Sequence, residues 1–526
     1  MTAKVISLQI KPGIQRDGTL FDAPSYVDGR WVRFQRGRPR KMGGYNGIFL
    51  NAAGISRGMI MNSENGLNYI YSGTNSGLQM WTTDNDNGVG SGPYDISLTN
   101  FTSNADNLWQ FDIGYDVGGG ASYLFAHPGQ NLTHIDSTVN TPVLYGDFPG
   151  GAMAELTDTQ GTTPTGDPIE VSGGCIMLHP YLFVYGNNGF IKNCSAGNFF
   201  DWNSADANET NVATGKIVKG LPVRGGTTAP SGLFWSTDSV IRVSYTPTTV
   251  GTSTLYWRYD IITSQSSILS SSCVIEYDGI YFWVGVDRFL MYNGVVSEVP
   301  NSMNFNYFFD NLNYNQRQKV WVSKVPRWGE IWWFFPNGNS TECNDAVVFN
   351  IREQVWYDAG TAVGARRSAG VFSEVFRKPV WAGNEENTAG TYTLWQHETG
   401  TDQIYLNNQD AIQSYFETNN IGWVTGGPGA DDPTGPNRWI HLERVEPNFN
   451  QSEDMNLYIT GPSYAQGADV LSDPYVFSPT TLKIDLREQR REMRLKFESN
   501  TVRGNYEMGQ ILISADLGDE RGTGNP

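Results

Sequence analysis

One feature constrains this chain more than any other. A short apolar run meets an Asx-Gly pair and a second apolar run, and the unit recurs. Asp278-Gly279 precedes Ile280-Tyr-Phe-Trp-Val284, and Phe289-Leu-Met-Tyr292 runs into Asn293-Gly294. Asn188-Gly189 separates Tyr181-Leu-Phe-Val-Tyr185 from Phe190-Ile191, and Asn65-Gly66 precedes Leu67-Asn-Tyr-Ile-Tyr71. Such pairs supply the positive φ angles that tight hairpins require. Seven loosely similar units lie near 66–82, 108–136, 178–203, 230–246, 274–299, 319–357 and 369–397. Several close on an aromatic residue, as in Gln79-Met-Trp81, Phe199-Phe-Asp-Trp202, Gln354-Val-Trp356 and Tyr392-Thr-Leu-Trp395. A spacing of roughly 35–50 residues suits four-stranded propeller blades. The repeat has no sharp Trp-Asp or kelch signature, so the blade number stays open, with stacked β-sandwiches as the alternative. Helical periodicity is rare, and its best window is Met303 to Tyr314.

The texture changes past residue 400. Gly422 to Pro436 is rich in Gly, Pro and Asp and reads as a loop or linker. In the strands that follow, Leu482, Ile484 and Leu486 are expected to face inward, with Lys483, Asp485 and Arg487 outward. Met493, Leu495 and Phe497 are expected inward, with Arg494, Lys496 and Glu498 outward. A charged corner, Arg487-Glu-Gln-Arg-Arg491, is expected to join the two. The reading is all-β: an irregular β-propeller body with an additional antiparallel β-sandwich. The expected divisions are a basic N-terminal segment, 1–50, docking to a partner or to the C-terminal sandwich; a propeller, 51–400; and a C-terminal sandwich with a frayed tail, 401–526.

Composition narrows the function. Of 526 residues, 17% are charged and 13% aromatic, the balance of a folded chain. The formal charge of −18 argues against a general binder of nucleic-acid phosphates. No leader with an apolar core opens the sequence, and no stretch approaches the roughly 20 apolar residues of a membrane span. Cys175, Cys194, Cys273 and Cys343 fit no zinc spacing and read as buried free thiols.

No catalytic set is evident, and the chain is expected not to be an enzyme. His127, His134, His179, His397 and His441 are scattered, and His127 with His134 makes a poor metal pair. Asp84-Asn-Asp86-Asn-Gly88 resembles the start of a calcium loop. Its Gly is fifth rather than sixth, and Asp95 stands where the twelfth-position Glu belongs, so a solvated Asx turn is the reading. No cofactor and no metal are expected. Paired carboxylates would make a propeller a glycosidase, but no Asp-box of the Ser-x-Asp-x-Gly-x-Thr-Trp kind is present.

The charge is uneven. Residues 1–50 hold nine Lys+Arg and three Asp, a net of +6, which leaves −24 for the other 476. Six cations fall within the twelve residues from Arg30 to Lys41. Arg30, Val32, Phe34 and Arg36 alternate with Trp31, Arg33 and Gln35 as on one strand. The candidate partner-docking residues are Arg30, Trp31, Arg33, Arg36, Arg38, Arg40 and Lys41. No stacking array accompanies them, so an acidic protein is the expected partner rather than DNA. Replacing Arg33 and Arg36 together by Glu is expected to weaken assembly and spare the fold.

These residues also carry a family resemblance. Arg30-Trp-Val-Arg-Phe34, leading through Gly37 to Lys41-Met-Gly-Gly-Tyr45, resembles an N-terminal motif of phage tail proteins. Ser270 to Gly294, Glu330-Ile-Trp-Trp-Phe-Phe-Pro336, Asn344 to Asn350 with Val355-Trp356, His397-Glu-Thr-Gly400, Arg487 to Arg491 and Tyr506-Glu-Met-Gly509 follow in the same order. Together they resemble the tail nozzle, or packaged-DNA stabilisation protein, of short-tailed bacteriophages, across roughly residues 28–513. The resemblance implies a propeller with a platform-like sandwich and a homohexameric ring below the head-to-tail adaptor proteins. It implies tail fibres or spikes as further partners. Double-stranded DNA would be retained in the head and later pass through the channel, without sequence-specific binding. The expected location is the virion tail, after synthesis in the host cytoplasm. The residues lining such a DNA channel are not assignable from sequence. The alternatives are another tail component, such as a fibre or spike-base protein, and a carbohydrate-active propeller enzyme.

Overall fold

The computed structural model describes all residues except 1–3, 20–22, 65, 84–89, 100–107, 130–137, 161–164, 224–228, 373–375, 389, 422–438, 463–466 and 518–526. The calcium-like turn at 84–88, His134, the linker at 422–436 and the C-terminal tail therefore lie outside the described residues. Nearly all regular structure is strand, and the one α-helix among the described residues is Phe305–Asn311, inside the best window of helical periodicity.

Seven sheets of antiparallel neighbours follow one another along the chain, over 56–95, 110–155, 174–211, 217–263, 274–298, 321–358 and 367–397, the last extended by a parallel strand, Gln403–Tyr405. The first six have four strands each. The seventh takes its fourth strand, Tyr45–Ala53, from the N-terminal side of the chain, paired to Thr391–His397. The first strand of the seventh sheet, Arg367–Phe372, lies beside the first strand of the first, Ser56–Glu64, and closes a ring. The molecule is a seven-bladed β-propeller with an additional antiparallel β domain.

Sequence explains the blades. In Ile331-Trp-Trp-Phe-Phe335 every residue is buried, because the strand lies between two neighbouring blades. The two-residue period then sorts its side chains. Trp332 and Phe334 join the core shared with blade seven and the C-terminal domain. Ile331, Trp333 and Phe335 join the core shared with blades four and five. The turns behave as their residues dictate: Asp278 and Gly279 sit at φ 50° and 81°, and Asn188 and Gly189 at 54° and 64°.

Apart from two small two-stranded sheets, the remaining strands form three sheets that mix both chain ends. Lys4–Ser7 pairs with Leu512–Leu517, which continues to Ile440–Glu446 and Ile484–Arg490. Asp28–Arg30 pairs with Ser414–Glu417, followed by Arg494–Ser499 and Met455–Pro462. Val32–Gln35 and Arg38–Lys41 form a hairpin whose second strand meets Tyr506–Met508.

Three expectations about the C-terminal strands are corrected. Leu482 is 86% exposed, because the strand begins only at Ile484; Ile484 and Leu486 are buried. Arg494 and Glu498 are buried rather than outward: Arg494 pairs with Glu417 and Asp469, and Glu498 accepts from the Gln413 side chain at 3.0 Å. Residues 487–490 continue the strand, so they form no corner, and the strands on either side of 491–493 belong to different sheets. Among the described residues, no helix is long and apolar enough to cross a membrane.

Candidate functional site

The basic segment is not one strand. Trp31, at φ 52°, breaks it, so Asp28–Arg30 and Val32–Gln35 belong to different sheets. The break turns the indole into the molecule, where Nε1 donates to the Gly43 carbonyl at 3.1 Å. The ring meets Trp332 and Tyr45, each with centroids 5.8 Å away, in edge-to-face contacts. Gly364 permits this seat, since a Cβ there would stand 2.2 Å from Cη2 of Trp31.

Arg33 is 1% exposed and bound by two carboxylates. Its Nε lies 2.9 Å from Oε1 of Glu330, and its terminal nitrogens donate to Glu398 at 2.6 and 2.7 Å. Glu330 also accepts from Trp332 Nε1 at 2.9 Å and from the Tyr357 hydroxyl at 2.7 Å. Trp328 Nε1 donates to Glu398 at 2.7 Å, and the guanidinium of Arg33 lies over its ring. Burial alone would lower the Arg33 pKa, but the charges of Glu330 and Glu398 outweigh it and hold Arg33 above its ordinary value. Burial likewise pushes Glu398 up, and Arg33 with its hydrogen bonds brings it below the usual range.

The other cations are tied within the chain as well. Arg30 donates to Gln413 Oε1 at 3.0 Å, and Arg38 to the Gly509 carbonyl at 3.1 Å. Arg40 donates to Gln35 Oε1 at 2.9 Å and lies 3.6 Å from Glu507. Lys41 donates to the Gly504 carbonyl at 2.8 Å, and burial pushes its ammonium down to about 8. Arg36 occupies the hairpin turn with Gly37, at φ 52° and 71°. The Glu353 carboxylate accepts both backbone N–H groups of that turn. The Arg36 side chain, 75% exposed, pairs with Glu507 at 3.0 Å.

Of the candidate docking residues Arg30, Trp31, Arg33, Arg36, Arg38, Arg40 and Lys41, the reading is corrected for the three that are buried, whereas Arg36 keeps an exposed side chain. Trp31, Arg33 and Lys41 are buried, and the segment fastens the propeller to the C-terminal strands of the same chain. The carboxylate partners Glu330, Glu398 and Glu507 escaped sequence reasoning. Glu330 left a signal, a charge opening an otherwise apolar strand, which demands a buried partner. Arg16 was also missed. It bridges Asp28 and Asp358, donating to Asp358 at 2.9 and 3.0 Å.

The scattered histidines have separate structural settings. His127 is buried: its Nδ1 accepts from the Gly129 N–H at 3.0 Å, and its Nε2 faces Thr141 Oγ1 at 3.0 Å and the Val171 carbonyl at 3.1 Å. His397 accepts from Arg367 Nε at 3.0 Å. His441 lies near Glu443 and Asp516 at the surface, a group with no further feature that points to a metal. The four cysteines are buried and unbridged.

The propeller axis holds a cavity of about 770 Å³. The first strands of blades one, two, four, five, six and seven line it, with Trp109, Tyr277 and Trp321 among the aromatic residues and Glu276 and Asp278 as its carboxylates. Lys324 donates to the Glu276 carbonyl at 2.9 Å and lies 3.6 Å from its carboxylate.

No protein-family model matches the chain, and no curated protein matches it. Solved structures similar to it include an exo-β-1,3-galactanase from Phanerochaete chrysosporium, at 11% identity and TM-score 0.28, covering 87% of this chain and 96% of that one. An ancestral GH74 enzyme aligns at 12% identity and TM-score 0.39, over 71% of this chain and 51% of its own. The extracellular domain of a putative hybrid two-component system from B. thetaiotaomicron aligns at 9% identity and TM-score 0.40, over 94% and 61%. The expectation that the chain is not an enzyme is corrected on this finding, since glycoside hydrolases are among the solved structures that align with it.

Proposed function

We propose that the chain is a structural component of a bacteriophage tail: the nozzle, six copies of which ring the tail axis beneath the head-to-tail adaptor. One observation carries the reading. Pieces of the tail-nozzle resemblance, far apart in sequence, meet at one junction. Arg33 joins Glu330 and Glu398, Trp31 packs on Trp332 and Tyr45, and Arg36 and Arg40 reach Glu507. A motif set that converges on one junction supports a shared design better than the same pieces dispersed. Charge supports the reading too. The cations of the basic segment are held by carboxylates and carbonyls of the same chain, while the residues after it carry −24. An acidic wall lets DNA pass without holding it.

Electron microscopy of phage particles that contain this chain tests the proposal. The expected result is six copies in a ring on the tail axis. Placement off the axis, or three-fold symmetry, would move the chain to another tail component. Turnover of host polysaccharide by the purified chain, lost on replacing one carboxylate, would favour the carbohydrate-active reading. Assembly onto the particle is probed with Arg36→Glu, whose side chain is exposed; Arg33→Glu is unsuitable because it would place a third carboxylate in a buried site.

A further inference from the structure

Blade seven carries a second cavity, of about 200 Å³, toward its outer strands. Its floor is one face of the sheet that Gln403–Tyr405 and Asn408–Asp410 extend. Trp395 pairs with Gly47, Gln403 with both Tyr45 and Asp410, and Tyr405 with Asn408, so these side chains share that face. Residues 363–367 and the strand Pro379–Thr388 supply the walls. Two glycines shape the floor. A Cβ on Gly47 would stand 2.7 Å from the Tyr405 ring, and one on Gly383 would stand 3.0 Å from Nε1 of Trp395. Both aromatic side chains therefore lie down against bare backbone and line the cavity.

The polar groups of this cavity are open to solvent and only partly used. Asn387, Asn408 and Asp410 are exposed, and Trp395, Gln403 and Tyr405 are half-buried. The Tyr405 hydroxyl accepts from the amides of Asn51, at 3.2 Å, and Asn387, which leaves its own proton to donate. Gln403 accepts from the Tyr45 hydroxyl at 3.0 Å through Oε1, which leaves its NH2 group. The Trp395 indole N–H, the Asn408 amide and the Asp410 carboxylate have no side-chain partner among the described residues, and none of them is a buried orphan. The other charges are committed. Arg366 pairs with Glu385, and Glu386 accepts from the Gly390 N–H. Arg367 donates to His397 and to the Val363 and Arg366 carbonyls, with its guanidinium over the rings of Tyr45 and Trp395.

Open donors and open acceptors thus stand together beside an aromatic ring. An anion would face the Asp410 carboxylate. An ammonium group would leave the indole N–H and the phenolic O–H without acceptors, because it brings none. Hydroxyl groups both donate and accept, so a polyhydroxylated ligand satisfies every open group at once. Its C–H surface would pack on the Tyr405 ring, whose body is apolar. The cavity is smaller than the roughly 300–1,000 Å³ of sites for drug-sized ligands, so it admits one ring rather than a run of them. We propose that this cavity of blade seven binds a neutral hexopyranose ring, its hydroxyls held by Trp395, Gln403, Tyr405, Asn408 and Asp410. The inference does not rest on the tail reading, since it requires neither a ring of copies nor a channel.

Saturation-transfer NMR titrations on the full chain test it. The probes are the methyl glycosides of glucose, galactose, mannose and N-acetylglucosamine, with putrescine as the cationic control. Saturable binding is expected for at least one glycoside and not for putrescine. A trisaccharide of the sugar that binds separates two sources: tighter binding marks a residue of a glycan chain, equal binding a free sugar, and both uphold the site. Asp410→Ala should weaken the glycoside about tenfold, the effect of losing a hydrogen bond to a charged group, and Asn408→Ala about fivefold. Both variants should keep the parent's melting temperature, because these side chains are exposed and hold no other side chain. The proposal is overturned if no glycoside binds, if putrescine binds in their place, or if both variants bind the glycoside like the parent.

Discussion

Arg33 and Arg36 stand three residues apart and have opposite weights. Arg33 is enclosed with Glu330 and Glu398, and its removal leaves two carboxylates buried without their cation. Arg33→Met is expected to cost about 3–5 kcal/mol of stability. Arg36 keeps most of its side chain in solvent, so Arg36→Ala should cost only about 0–1 kcal/mol. Urea unfolding of both variants checks the contrast; equal losses would show that the Arg33 node is not what the geometry implies. His127 adds a pH dependence. Burial pushes its pKa down from 6.5 to about 4, so the folded chain keeps the ring neutral where the unfolded chain protonates it. Between those values the unfolded state binds the extra proton, and stability falls as pH falls. From pH 7 to pH 5 this residue should remove about 2 kcal/mol. In His127→Gln the loss over the same interval should shrink by that amount, and an unchanged pH slope would refute the assignment.

At the scale of strands, Trp31 acts as the pivot between two sheets, and its seat depends on the missing side chain of Gly364. Gly364→Ala should displace the indole and cost about 1–3 kcal/mol as overpacking. A thermal melt indistinguishable from the parent would mean the indole has room to move. Strands of this kind mark the limit of what the sequence showed. The blades were legible because each is local: a hairpin, an Asx-Gly turn and an aromatic closure lie within a few tens of residues. Glu330 pairs with Arg33 across nearly 300 residues of chain, and no local pattern encodes that choice. The same reason misled the reading of Arg494 and Glu498. A two-residue period assumes one solvated face, but Arg494 is covered through Glu417 and Asp469 and Glu498 through Gln413, partners that other parts of the chain supply. The basic segment looked like a free surface because its cations were visible and their carboxylates were not.

The whole molecule is held by one continuous seam. The largest apolar cluster includes Trp332 and Phe334 of blade six, Trp381 of blade seven, Trp31 and Phe34 of the N-terminal segment, and Phe416, Leu495 and Phe497 of the C-terminal strands. Both chain ends take part in the three outer sheets, and Tyr45–Ala53 closes the ring beside Gln403–Tyr405, with which it runs parallel. Propeller and outer domain therefore share strands, core and ion pairs, and neither can leave without exposing the other. Calorimetry on the intact chain should show a single unfolding transition, with the calorimetric and van't Hoff enthalpies in agreement. Arg33→Met removes the tie between blade six, the turn at Glu398 and the N-terminal hairpin, so it should broaden the transition or split it in two. Two separate transitions in the parent chain would instead mean that the seam is weaker than either body it joins. The outer sheets would then be a domain in their own right, carried by the propeller rather than built into it.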